Sequence, residues 1–474
     1  MPRTIHALFA ARWINSFAAL LIFALTVYRA ATLSLTIDEA ATYIGYVHHG
    51  WNGIFHGPFD ANNHILYSIL EKFSRQWFGP SELSLRLPAL MGAALFLWSS
   101  ARLCALLVPG LWFSLLSFLI VTGNPVTLDF MVVARGYGLA LGMLAFALLQ
   151  LIRWTEDSKS WRIAASSVAL GLSTSANLMF AFPAIAMFST AVFFLLRRQR
   201  FKLIPLAVLP AVAIPLALWW APFQNYNPAV FYFGTSSVYE SLESLELCLF
   251  IHDDKRGDPF GNWYTALYLR LWILPVLAPI ICGSIIFWIR RRATQGLALA
   301  AIVLTTTCFG MWLAHVWLGV LYPRERTGLS IIFLFLLIWT AAIAVWWHAH
   351  RLTRWLLAFP SLLLALLFLA QFAGQFDPSY FGGWHVNWKM KEVMSHLRGG
   401  HGKIRTHWIY QSTAEYYRLR WKLPYDPIVR EADKFDLDNA GYFIVPLDTQ
   451  QEVAATGMRV LYRDEVTGTT LLQK

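Results

Sequence analysis

The sequence predicts a mostly α, polytopic helical membrane protein of about 11 transmembrane helices, followed by a small C-terminal soluble α/β domain. Three observations lead there. The 474 residues are 57% hydrophobic and 14% charged, where soluble domains run nearer 25% charged. Apolar runs of about 20 residues recur, each long enough to cross a hydrocarbon core of roughly 30 Å. Arginines and lysines gather in alternate connections between those runs, which is the positive-inside pattern.

In chain order the runs fall near 13–34, 84–107, 110–126, 136–154, 161–177, 178–196, 203–221, 265–289, 296–320, 328–347 and 354–373. The first is longer than a secretory h-region and lacks a small-residue cleavage site, so it reads as a retained helix. With the N-terminus in the cytoplasm, the cytoplasmic segments carry Arg3 and Arg12, then Arg102, then Arg153, Lys159 and Arg162. Arg197, Arg198, Arg200 and Lys202 follow, then Arg290, Arg291 and Arg292, and finally Arg351 and Arg354. The other side has longer loops with fewer basic residues. This places loops 35–83 and 222–264, connections 127–135 and 321–327, and the whole C-terminus outside. In a bacterium that is the periplasmic face of the inner membrane.

The net charge of +11 does not signal nucleic acid, because the basic residues sit in short loops and report topology. The four cysteines show no CxxC spacing, which argues against a disulfide framework or a zinc site.

Within the first outer loop, 38–49 and 64–78 read as amphipathic helices suited to the interface plane, with Ile65, Leu66, Ile69, Phe73 and Trp77 at helical spacing. Gly50, Gly53, Gly57 and Pro58 mark turns between them. After residue 375 the composition turns polar. Residues 1–375 therefore read as a transmembrane domain and 376–474 as an extracytoplasmic domain of ordinary size. Short β-like runs lie at 404–408, 442–445, 460–462 and 469–472, with a helical stretch at 384–398.

Candidate chemistry collects on the outer side. Asp38 and Glu39 follow the first span. Thr36-Ile37-Asp38-Glu39 fits the S/T-x-x-E capping box, which explains Glu39 better than Asp38. A carboxylate held there suits a general base. Asn63 and His64 open the second loop helix, as an N-cap or as groups that bind sugar hydroxyls or a phosphate. Arg86 precedes Leu87-Pro88 and reads first as an interfacial snorkelling arginine. Asp129, Arg135 and Tyr137 lie on or beside the short outer connection between the third and fourth spans. Charges at membrane depth face a cavity or each other, so an Asp129–Arg135 pair competes with a site role. Arg324 and Arg326 flank Glu325 on the side where basic residues are scarce, and one carboxylate balances only one of them. Arginine matches phosphate bidentately. His252, Asp253, Asp254 and Asp258 are a weak candidate for a divalent cation, with no fixed ligand spacing.

The stretches Asp38-Glu39, Asn63-His64-Ile65-Leu66-Tyr67, Leu85-Arg86-Leu87-Pro88-Ala89-Leu90 and Ala134-Arg135-Gly136-Tyr137 share order and topology with a known group. The chain resembles the polytopic GT-C glycosyltransferases, specifically the family-39-like group of protein O-mannosyltransferases and lipid A aminoarabinose transferases. Ile65 stands where that group often has proline, and the Arg324/Arg326 turn matches only loosely. The resemblance implies an inverting transferase with a polyprenyl-phosphate sugar donor and chemistry at the outer face. Asp38 would be the base, and Glu39 would position it, cap its helix or help hold a cation. Asn63 and His64 would touch sugar or acceptor. Arg135, Arg324, Arg326 and, more weakly, Arg86 would meet the donor phosphate, and Asp129 would be a second carboxylate or the partner of Arg135. No cofactor is firmly implied. The acceptor stays open between lipid, glycan and protein. The alternative is a transporter or flippase of lipid or lipid-linked sugar, which needs the groove but no base.

Overall fold

The structure, a computed structural model, describes residues 5–250, 295–431, 440–447 and 449–474. Long runs of Leu, Ala, Phe and Trp satisfy their backbone internally as helices, as lipid requires. The first is α1 (Ile5–Thr32). The loop 35–83 then forms α2 (Ile37–Thr42), α3 (Gly50–His56) and α4 (Ile65–Phe78). Next come α5 (Glu82–Leu107), α6 (Leu111–Gly123), α7 (Pro125–Phe130), α8 (Gly136–Asp157), α9 (Ser160–Ala176), α10 (Ala181–Arg197), α11 (Ile204–Trp219) and α12 (Val238–Phe250). Three further apolar helices cover Gln295–Leu318, Leu329–Trp347 and Phe359–Gln375.

Eight of the described helical stretches are long and apolar enough to cross a membrane. The chain is thus a multi-pass membrane protein. The expected span 265–289 and the cluster His252, Asp253, Asp254 and Asp258 lie outside the described residues. Each other expected span coincides with a helix, but the third is shorter than the sequence suggested. At 13 residues, α6 reaches roughly 20 Å. It stops because Asn124 caps a new helix, accepting from Thr127 N at 2.9 Å, and Pro125 occupies its first turn. A second difference lies in the loop 35–83. Gly50 to His56 form α3 rather than a run of turns.

Small residues let α5 and α8 approach backbone to backbone. A Cβ on Gly92 would sit 2.5 Å from Leu139 Cα, and one on Gly142 would sit 2.3 Å from the Gly92 carbonyl. Such contacts substitute for a hydrophobic drive between helices in lipid.

Past Gln375 a mixed sheet forms from β1 (Ile404–His407), β2 (Val429–Glu431), β3 (Tyr442–Pro446), β4 (Arg459–Arg463) and β5 (Thr469–Gln473), in the order β2-β1-β3-β5-β4. β1 is parallel to β2 and β3, and β5 is antiparallel to β3 and β4. The parallel β1–β2 pair needs a crossover, supplied by a helix at Trp408–Trp421. That helix is hard to read from sequence because its buried face is made of Tyr410, Thr413, Ala414, Tyr416 and Tyr417 rather than aliphatics. The expected helix at 384–398 is broken into a 3-10 run (Gly382–Asn387) and a short α-helix (Met390–Ser395).

The sheet region is tied to the stretch between α1 and α5. Tyr416 donates to Pro80 O at 2.8 Å, and its ring meets Tyr43 edge-on at 5.3 Å. Glu82 pairs with Arg420 and with Lys391.

Candidate active site

Thr36 leaves extended backbone to cap α2, and the capping box is present. Glu39 Oε2 accepts from Thr36 N at 2.7 Å. Glu39 does more than cap. Its carboxylate receives Arg86 Nε at 2.7 Å, Arg86 Nη2 at 2.8 Å and Ala134 N at 2.5 Å. Arg86 also donates to Ala30 O, Leu33 O and Ser34 O. A guanidinium has five N–H groups, and those contacts use all of them. Arg86 therefore clamps the end of α1 to α2 and has no donor left for a phosphate. Both side chains are fully buried.

Asp38 points the other way along the same turn. Its Oδ2 lies 2.5 Å from Arg135 Nη1, and its side chain is 20% exposed. Arg135 Nε donates to His64 Nε2 at 3.3 Å. His64 is held neutral, its pKa well below the ordinary range, by burial first and then by the charges of Arg135 and Arg326. Arg135 owes its place to local backbone. It is the extended N-cap of α8, and at Gly136 a Cβ would lie 1.8 Å from Ala176 O. The Arg-Gly pair thus lets the guanidinium reach Asp38 where two helices nearly touch. Tyr137 stacks edge-on against His64 at 5.3 Å. Asn63 is buried, donating to Ile54 O at 2.9 Å and accepting from Ser68 Oγ at 3.1 Å.

The expected alternative of an Asp129–Arg135 pair is not what forms. Asp129 Oδ1 accepts from Arg29 Nη2 at 2.7 Å, and Oδ2 accepts from Gly382 N at 2.9 Å. Arg29 is fully buried near the end of α1, between the rings of Phe376 and Phe381. Arg29 is not among the candidates that local motifs single out. An arginine inside an otherwise apolar span is costly and is itself the signal of a partner.

A cavity of about 640 Å³ opens beside these groups. Asp129 and Phe130 line one wall, Glu240, Glu243 and Ser244 of α12 another, and Arg324 and Arg326 a third. Glu325 lies between the two arginines at 3.5 and 3.8 Å, too far for close hydrogen bonds. Asp38 and Arg135 do not line this cavity. They connect to it through aromatic contacts, Tyr137 to Phe130 at 4.8 Å and Phe130 to Trp384 at 5.4 Å. The candidates therefore sort into a buried acid–arginine lattice and an arginine-lined cavity rather than one pocket. Among the described residues, no group of three His, Cys, Asp or Glu side chains is placed to hold a metal ion.

Glu71 on α4 is fully buried, with no hydrogen-bond partner on either carboxyl oxygen among the described residues. Burial and the nearby charge of Glu39 push its pKa well above the usual carboxylate range. Folding then retains a proton that the unfolded chain releases above about pH 4.3. The stability this contributes is complete below that pH and is lost as pH rises toward the raised value. In Glu71→Gln this loss is absent. Thermal unfolding in detergent should show the variant matching wild type near pH 4 and exceeding it at neutral pH; parallel pH profiles would refute a protonated Glu71.

No family model matches the sequence, and no curated protein matches it. The fold nevertheless defines a class: the chain is a polytopic membrane protein of the GT-C fold. Among solved structures it is similar to ArnT from Cupriavidus metallidurans bound to undecaprenyl phosphate, with a TM-score of 0.50 at 12% identity over 97% of both chains. Apo ArnT gives 0.48 at 12% identity over the same shares. The archaeal oligosaccharyltransferase AglB from Archaeoglobus fulgidus, in complex with an inhibitory peptide and a dolichol-phosphate, gives 0.42 at 12% identity over 85% of this chain and 64% of its own. At such identities the similarity to ArnT carries the fold alone.

Proposed function

We propose that the chain is a membrane glycosyltransferase. It would move a sugar, with inversion, from a polyprenyl-phosphate-linked donor to a lipid, glycan or protein acceptor on the outer face of a bacterial inner membrane. The observation that carries this reading is Asp38, a partly exposed carboxylate locked by Arg135 beside an arginine-lined cavity, in a fold shared with ArnT.

The chemistry follows from the groups present. Arg135 engages Oδ2 of Asp38, and Oδ1 takes the proton from the acceptor hydroxyl. That oxygen attacks the anomeric carbon as the bond to the phosphate oxygen breaks, and one displacement inverts the centre. The phosphate leaves as an anion, which Arg324 and Arg326 stabilise as its charge develops. Neutral His64 fixes Arg135 without competing for Asp38. Glu39 and Arg86 hold the turn that presents Asp38. The cavity gives the donor phosphate a polar site, from which the sugar would reach past Phe130 and Tyr137 to Asp38, and apolar helices hold the lipid tail.

Sugar transfer from polyprenyl-phosphate donors to an acceptor panel tests the reading, measured in right-side-out and inverted vesicles. Transfer is expected with acceptor on the outer side; no transfer from any such donor would overturn the function, and transfer confined to inverted vesicles would overturn the sidedness. The phosphate role has its own check. Charge-assisted hydrogen bonds contribute about 1.5–3 kcal/mol each. Replacing Arg324 and Arg326 together by alanine should therefore weaken undecaprenyl phosphate binding at least tenfold, roughly 1.4 kcal/mol. Unchanged affinity would remove both arginines from the donor site.

A further inference from the structure

The segment from Tyr380 to Trp388 joins the last membrane helix to the sheet domain and is anchored at both ends. At its start, Tyr380 O accepts from Arg29 Nη2 at 2.7 Å and Gly382 N donates to Asp129 at 2.9 Å. At its end, Asn387 Oδ1 accepts from Ile37 N at 2.9 Å, and Trp388 O accepts from Ser34 Oγ at 2.8 Å. Between the anchors, Gly382, Gly383, Trp384 and His385 line the cavity. Trp384 leaves helical geometry (φ −138°, ψ 29°) and is buried against Phe130. One short strap thus runs from the cavity wall to the first turn of α2, which carries Asp38.

The amides at a helix start have no partner within the helix. Here Thr36 N and Glu39 N are satisfied inside the capping box. Ile37 N is satisfied by Asn387, and Leu35 N donates to Tyr417 Oη at 3.2 Å. Tyr417 also donates to Glu82 at 3.2 Å, and Asn387 Nδ2 donates to Ile409 O at 3.1 Å. The polypeptide beyond residue 375 therefore supplies the partners of two of these four backbone amides around Asp38.

We propose that Asn387 and Tyr417 are positioning residues for Asp38, and that segment 380–388 couples occupancy of the cavity to the pose of that carboxylate. This deepens the transferase reading and rests on it for its catalytic consequence. A ligand pressing on Trp384 or His385 moves the strap, and the strap moves Ile37. The base is then aligned when the cavity is filled.

Amide hydrogen exchange on the full-length protein in detergent tests the coupling, followed on peptides covering residues 34–39. Undecaprenyl phosphate, at saturation set by a separate titration, should slow exchange there in wild type. In Asn387→Ala the basal exchange should rise and the response to the lipid should vanish, with exchange in α5 unchanged as the folding control. Tyr417→Phe keeps the ring and removes the hydroxyl, so it should raise basal exchange alone. In turnover, both variants should lose about tenfold in kcat with donor affinity unchanged, since small misplacements of a catalytic group cost up to about 10²-fold. Asn387→Asp, which keeps an acceptor for Ile37 N but loses the donor to Ile409 O, should recover part of that loss. Wild-type exchange rates at 34–39 in both variants would overturn the positioning role. A wild-type protein that binds the lipid without slowing exchange at 34–39 would overturn the coupling. A coupling that holds in a protein transferring no sugar would instead remove the transferase reading.

Discussion

Asp38→Asn should lower the rate of sugar transfer by roughly 10²- to 10⁴-fold, the usual contribution of a positioned general base. Asparagine keeps the size of the side chain and an oxygen for Arg135, so the turn should survive. It cannot take a proton from the acceptor. The proposed phosphate site is at Arg324 and Arg326, which line a cavity that Asp38 does not, so undecaprenyl phosphate affinity should stay within about twofold of wild type. The two measurements separate the roles: a kcat effect without a binding effect marks a base, whereas loss of both marks a collapsed site. Normal turnover in Asp38→Asn would remove the general-base role outright.

Arg86→Ala should be the most destabilising single change in the lattice, by about 3–5 kcal/mol, because it strands a fully buried carboxylate. Glu39 would keep Ala134 N and Thr36 N as partners but lose its only counter-charge among the described residues. The carbonyls of Ala30, Leu33 and Ser34 would lose their donor as well. Replacing both partners, as Arg86→Met with Glu39→Leu, should cost less than Arg86→Ala alone, since no unpaired charge is then buried. Denaturant or thermal unfolding of the purified protein gives both values. A fully stable Arg86→Ala protein would show that the pair does not secure α1 to α2. The double variant should still transfer poorly, because the turn presenting Asp38 would no longer be held.

The two acids beside the first span illustrate what is readable locally. Thr36 and Glu39 are three residues apart, so their capping box is visible in the sequence and present in the fold. The apolar runs are equally local, and helices form at each of those within the described residues. Strands at 404–407, 442–446, 459–463 and 469–473 also fall on the short β-like runs of the sequence. The helix at Trp408–Trp421 was hidden because a tyrosine-rich buried face carries a weak hydropathy signal.

Partner choice was not legible. Arg29, Arg86 and Arg135 are chemically alike and far apart in the chain, and each is matched to a different carboxylate: Asp129, Glu39 and Asp38. Local spacing offers Asp129, six positions away, as one candidate partner for Arg135. The approach of α8 to α9 at Gly136, and of the strap to α1, set the actual pairs. By itself the sequence determined the membrane-spanning helices, the capped turn at Thr36 and the residue types available for acid–base and phosphate chemistry, because hydropathy and capping act over a few residues. Only the tertiary structure decided which arginine meets which acid, that Glu39 and Arg86 are fully spent on structure, and that residues beyond 375 hold the turn carrying Asp38. A buried charge must find its counter-charge wherever the helices bring one, and that is a property of packing rather than of neighbours in the chain.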